Sequence, residues 1–332
     1  MFAKSMRVVL FLSLFLMCGC ETLHFYGQGV RGQMEILRKS RPNAEVIARP
    51  GTPEALKKKL LLAESLCDFA SRELALPGDS AYHRYADLGR RHVVFVLYAA
   101  PEFSMEPKTW RYPVIGELDY RGYFDEADAE AYAEKLEAEG YEVHIGGTNA
   151  YSTLGLFHDP LLNTFIDYPE IDLAETIFHE LTHRRIFKSG ETTWNESLAS
   201  VVQEEGVRKY LRANGRMAEL ADYEERLVRR RDFYNEIAVT RGQLTKLYAS
   251  GAGREEMRAE KKTILAKLKT RARALQDRWG TKLLEGWLAQ DLTNAHLLAL
   301  ITYNSGMPEF QKMFEESGGD FGRFFEAVES DQ

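Results

Sequence analysis

Apart from a run near the N-terminus, apolar residues recur three or four positions apart over most of this chain, and run together in parts of a central stretch from about residue 91 to residue 145. The first spacing marks helices and the second strands. From His24 to about Pro77 the pattern is helical, clearest in Leu60, Leu61, Ala63, Leu66 and Phe69 within a predicted helix over Glu54–Leu74. Gly27, Gly29 and Gly32 have no strand before them and lie in this helical pattern, which sets aside a phosphate-binding loop. Arg91–Tyr98 is a continuous apolar run bounded by turn residues and reads as a strand, with a second predicted over Val114–Tyr120. Pro101, Pro107 and Pro113 mark loops. A helix over Asp125–Glu139 then leads through Gly140 into a strand over Tyr141–Ile145.

The helical spacing returns at Leu173, Ile177, Leu181 and the pair Ile186-Phe187. Pro169 upstream, Asp172 with Glu175 as a capping box and Gly190 as a stop delimit that helix. Thr192 and Thr193 are placed to cap a second helix, with Glu196 in its first turn and Ser200 and Gln203 on the same face. Next come Leu220, Tyr223, Leu227, Tyr234, Ile237, Leu244 and Tyr248, a break at Gly251-Ala252-Gly253, and a resumption at Met257, Ile264, Leu268 and Leu275. Two long helices folded back on each other are the natural result. Trp287–Val328 is helical again, interrupted near Gly306-Met307-Pro308. The fold class expected is α+β, predominantly helical, with a small β-sheet and an antiparallel helical hairpin. The chain divides into an N-terminal α+β part (20–170), a paired-helix segment (171–206), a charged hairpin (207–280) and a C-terminal helical part (281–332).

The first 19 residues read as a targeting segment. Lys4 and Arg7 precede the apolar run Val8–Met17, which suits a signal-peptide core and is too short to span a bilayer. Met17-Cys18-Gly19-Cys20 resembles a bacterial lipobox, in which Cys20 is lipidated and tethers the mature chain to a membrane. An ordinary cleaved signal and a retained anchor are the competing readings. The expected location is the bacterial cell envelope, facing the periplasm or the exterior. Of the three cysteines Cys67 is then left without a disulfide partner, as a core thiol. A net charge of −7 argues against nucleic acid as a partner.

The chemistry concentrates in His179-Glu180-Leu181-Thr182-His183. Residues four apart share a helix face, so both imidazoles can meet one zinc ion. Glu180, about 100° further round, is suited to hold a water there and take its proton. A hydrolytic site of this kind needs a third protein ligand. Glu196 is the candidate, with Glu204 or Glu205 as the alternative. No G-x-S-x-G motif and no P-loop offers another catalytic system. His144 and His158 lack metal-ligand spacing to the motif and suit surface or structural roles.

H-E-L-T-H followed by Trp194-Asn195-Glu196-Ser197-Leu198-Ala199 resembles the gluzincin pattern of aminopeptidase N type enzymes, with a shorter loop. More closely, the chain is similar to the bacterial predicted aminopeptidases, a family of lipoproteins. Gly32-Gln33-Met34-Glu35, Ala100-Pro101-Glu102-Phe103, Tyr120-Arg121-Gly122-Tyr123, Tyr151-Ser152-Thr153-Leu154-Gly155 and Thr302-Tyr303-Asn304 carry that likeness. It implies a zincin-like core, one zinc ion on His179, His183 and Glu196, Glu180 as catalytic base and a peptide as substrate. It also implies an edge strand at Tyr151, Ser152, Thr153, Leu154 and Gly155 that pairs with the substrate backbone. The plain alternative for that stretch is a hairpin packed on the zinc helix. Tyr303 is either a hydrogen-bond donor to the reacting oxyanion or a core tyrosine. Two other functions stay open: a zinc amidase or endopeptidase acting on cell-wall peptides, and a non-catalytic envelope lipoprotein with a structural metal site.

Overall fold

The computed structural model describes residues 2–112, 116–153, 157–301 and 306–330, with residues 2–20 and 301 described through their backbone alone. Helix α1 (Phe2–Lys39) is held by its inner face. There Gln28 and Ile36 are buried, and the Gln28 carboxamide oxygen accepts from the Phe124 backbone N–H at 2.8 Å. Gly32 is the point of closest approach, since a Cβ there would fall 2.1 Å from the Phe124 ring. After β1 (Arg41–Pro42) and α2 (Asn43–Ala48), helix α3 (Glu54–Glu73) buries Leu60, Ala63, Leu66, Cys67 and Phe69, as the spacing predicts. Burial pushes the Cys67 thiol up to about 12, so it behaves as a small apolar side chain.

The central stretch folds into three small sheets. Strand β2 (Arg84–Ala86) pairs antiparallel with β1 and parallel with β8 (Leu161–Leu162). Strand β3 (Val94–Pro101) lies between β6 (Arg121–Tyr123) and β7 (Tyr141–Thr148), antiparallel to both, with Val94 opposite Thr148 and Pro101 opposite Tyr141. It begins three residues later than the apolar run suggests and extends further, because Arg90 turns the chain by donating to the His92 and Val93 carbonyls. A two-stranded ribbon joins β4 (Trp110–Tyr112) to β5 (Gly116–Leu118), and α4 (Glu126–Ala138) covers the middle sheet.

Helices α5 (Glu170–Arg185) and α6 (Thr192–Ala213) pack on each other and on α3 to form the main core. Their starts differ from expectation. Pro169 and Glu191 precede them and neither helix has a side-chain cap. Asp172 and Glu175 instead pair with arginines more than fifty residues further along, Arg226 with both and Arg230 with Glu175, and Glu196 falls at the fifth position of α6 rather than in its first turn. α5 stops at Arg185, before Gly190, which sits in the connection with φ +81°. Gly206 does not end α6. A Cβ there would meet the Phe178 ring at 2.9 Å and Leu74 at 3.0 Å, so the residue lets α5 and α3 approach α6 closely.

Helices α7 (Met217–Tyr248) and α8 (Arg254–Trp279) form the antiparallel hairpin, with Arg271 donating to Glu236 and to the Thr240 hydroxyl, and Arg278 donating to Asp232. Short helices α9 (Glu285–Leu288), α10 (Asn294–Ile301), α11 (Met307–Glu316) and α12 (Phe321–Ser330) complete the chain. The described residues are therefore mostly helical with small sheets, an α+β arrangement. No described helix is long and apolar enough to cross a membrane.

Candidate metal centre

The connection over residues 186–191 turns α5 back on α6, so side chains four apart on one meet side chains seven apart on the other. Asn195 braces that connection by accepting from the Lys188 N–H at 2.8 Å and donating to the Lys188 carbonyl at 2.7 Å. From β5, Gly116 abuts the same connection, since a Cβ would lie 2.7 Å from the Ser189 hydroxyl and 2.9 Å from the Gly190 nitrogen. The turn beside Glu196 is thus fixed from two sides.

His179, His183 and Glu196 converge from the two helices, their ligand atoms all within 4.8 Å of one another. His179 Nε2 lies 3.2 Å from His183 Nε2 and 3.1 Å from Glu196 Oε2, and His183 Nε2 lies 3.5 Å from Glu196 Oε1. Donors about 2.0–2.1 Å from one tetrahedral ion stand about 3.3 Å apart; the two imidazole nitrogens meet that spacing, and the Glu196 carboxylate faces both of them through its two oxygens. The donor set, two imidazoles and a carboxylate, suits the same ion and leaves one position for water.

The surroundings orient the donors. The Gln203 carboxamide oxygen lies 3.1 Å from His179 Nδ1 and accepts its proton, which turns the Nε2 lone pair toward the centre. Burial works against charge on His179, but the hydrogen bond and charge of Glu196 outweigh it and raise its pKa. Burial likewise disfavours the Glu196 carboxylate, yet the two histidines hold it well below the usual carboxylate range. Replacing Gln203 with Leu removes the acceptor at nearly constant volume and is expected to weaken zinc binding by about 10–100-fold, read by competition with a chromogenic chelator.

Glu180 is half-buried next to His179. Burial raises its pKa, His179 and His183 oppose the rise, and Glu196 and Asp159 add to it. A carboxyl held above its ordinary range beside histidine donors is placed for proton transfer. Tyr120, just after β5, is a further group near the centre. Burial, with Glu196 and then Glu180 among the nearby charges, holds its hydroxyl far above the ordinary tyrosine range, and its ring packs on Tyr98. The chain pattern offered only the Tyr120-Arg121-Gly122-Tyr123 motif as a hint.

A family model described as "Putative aminopeptidase" matches residues 24–331. The chain belongs to this family. No curated protein and no solved structure matches it. For this aminopeptidase-family chain, the other residues singled out in the sequence sort as follows. Glu204 and Glu205 stand apart from the centre: Arg208 lies 2.7 Å from Glu205 and 3.7 Å from Glu204, so the alternative third ligand is set aside. His158 Nδ1 is hydrogen-bonded to the Ser80 carbonyl at 2.9 Å, and His144 stacks on His296 with ring centroids 4.1 Å apart.

Tyr151, Ser152 and Thr153 are irregular chain rather than strand, and Leu154, Gly155 and Tyr303 lie outside the described residues. The reason is where the polar groups go. The Asp159 carboxylate accepts from the Thr153 N–H at 3.1 Å, the Thr153 hydroxyl at 2.7 Å and the Ser152 hydroxyl at 3.3 Å. Arg184, next to His183, pairs with Asp159 at 2.8 Å and donates to the Phe157 and Ser80 carbonyls. Tyr151 packs edge-on against Phe124. The segment is therefore tied to α5, next to the candidate ligand His183, by its own hydrogen bonds.

Proposed function

We propose that this chain is a zinc-dependent aminopeptidase with a zincin-like core and a gluzincin ligand set. The observation that carries this reading is the convergence of His179, His183 and Glu196, whose ligand atoms lie within 4.8 Å of one another with the two Nε2 atoms 3.2 Å apart, and Glu180 alongside. His179, His183 and Glu196 hold the ion. When bound, zinc supplies a Lewis acid that polarises the scissile carbonyl and brings water's pKa down to about 7. Glu180 takes the proton from the attacking water and returns it to the leaving amine. Gln203 keeps His179 in the tautomer that binds. A hydroxyl donor to the oxyanion comes from Tyr120 or Tyr303. In this reading residues 1–19 are a lipoprotein signal, Cys20 carries the lipid, and the enzyme works in the bacterial envelope facing the periplasm or exterior.

The test is activity of the purified chain on aminoacyl amides, N-blocked peptides and cell-wall peptides, before and after chelation and zinc return. Cleavage of free-amine substrates alone, lost on chelation and restored by zinc at about one ion per chain, is the expected result. Cleavage of blocked or wall-derived peptides overturns the aminopeptidase assignment while keeping the metallopeptidase. Zinc binding with no cleavage of any class favours a structural metal site. Tyr120→Phe and Tyr303→Phe identify the donor by which one lowers kcat with KM unchanged.

A further inference from the structure

Helix α1 has two unlike faces. Its inner face is pinned by Gln28, Gly32 and Ile36 and by the Glu35–Arg90 pair at 2.7 Å. Its outer face leaves Leu23 75%, Tyr26 42%, Val30 63% and Met34 58% exposed. At about 100° per residue, Leu23, Val30 and Met34 fall within about 40° of one another, with Tyr26 about 40° beyond. The stripe is about 16 Å long. Four large apolar side chains along one line are an interaction surface rather than scattered exposure.

Two further observations say what covers it. Arg31 and Arg38 are exposed along the edge of the stripe next to Met34, and neither has an ion-pair partner among the described residues. A narrow apolar stripe bordered by cations matches an anionic lipid surface. The stripe also begins three residues after Cys20, the position proposed to carry the lipid, so the tether holds this face within reach of the bilayer.

We propose that the outer face of α1 lies on a lipid bilayer, with Leu23, Tyr26, Val30 and Met34 in the headgroup boundary and Arg31 and Arg38 at anionic headgroups. This rests on the reading of the N-terminal segment as a membrane tether. The contact makes α1 a fixed platform rather than a flexible leash, and it sets one orientation of the catalytic part relative to the membrane.

The experiment uses the full chain reconstituted on vesicles of phosphatidylglycerol and phosphatidylcholine, some with brominated acyl chains. Val30→Trp places a fluorophore in the stripe, Val228→Trp places one on α7, and wild type gives the background of the native tryptophans. The expected result is quenching of the added Val30→Trp emission by about half, little change for Val228→Trp, and weaker quenching in vesicles of phosphatidylcholine alone. If the chain floats with the vesicles but Val30→Trp is not quenched, the tether stands and the proposed contact falls. If the chain does not float, both fall. If Val30→Trp shifts to the blue without quenching while chemical cross-linking yields dimers, a second copy covers the face and the proposal is overturned.

Discussion

Glu180→Gln is expected to retain about one zinc per chain while lowering kcat by about 10³–10⁴-fold, with little change in KM. The amide keeps the size of the carboxyl and leaves His179, His183 and Glu196 untouched, so the metal-binding geometry of α5 and α6 survives. It cannot take a proton from water. Its loss therefore separates catalysis from metal binding, which no change at the three ligands can do. Metal analysis of the purified variant beside steady-state kinetics on an aminoacyl amide reads both quantities. Zinc retention with kcat within about tenfold of wild type would remove Glu180 from the mechanism.

Arg184→Met is expected to cost about 3–5 kcal/mol of stability, because it leaves the buried Asp159 carboxylate without its cation. Both side chains of this pair are almost fully enclosed, at 5% and 3% exposure, so solvent screening does not weaken the effect. Thr153 and Ser152 still donate to Asp159, but two hydroxyls and an N–H do not neutralise a buried charge. Adding Asp159→Asn removes the charge and should return much of the loss, a coupling that urea denaturation of the four members of the cycle measures. An additive double variant would show that the pair acts as two independent hydrogen-bonding groups. Since Arg184 follows His183 directly, the single variant should also loosen residues 151–153 from α5.

The helices and the convergence of the three candidate ligands were legible because they depend on local spacing. Histidines four apart on an amphipathic helix and a carboxylate on the next helix need only a tight reversal to meet, and Gln203 was already on the Glu196 face. What misled the reading was long-range. Asp172 and Glu175 have the spacing of a cap, yet arginines more than fifty residues away on α7 take both: Arg226 pairs with each, and Arg230 joins at Glu175. Gly206, where the paired-helix segment was bounded, lies inside α6 and packs closely against Phe178 and Leu74. The polar groups of Thr153 offer a strand no partner after Asp159 has claimed them. Tyr120, which follows the ribbon, feels the charges of Glu196 and Glu180 through an arrangement that no periodicity encodes.

The compactness of the donor set along the chain has a kinetic consequence. His179 and Gln203 are 24 positions apart and bracket every proposed ligand, whereas the parallel pairing of β2 with β8 joins Tyr85 to Leu161. Closing the shorter loop costs less entropy, and helical contacts of low sequence separation form fastest. The α5–α6 hairpin can thus assemble a competent chelating surface while the sheets are still unpaired. A divalent ion captured at that stage would act as a folding nucleus, so that the rate of refolding, and not only the final activity, becomes sensitive to zinc concentration.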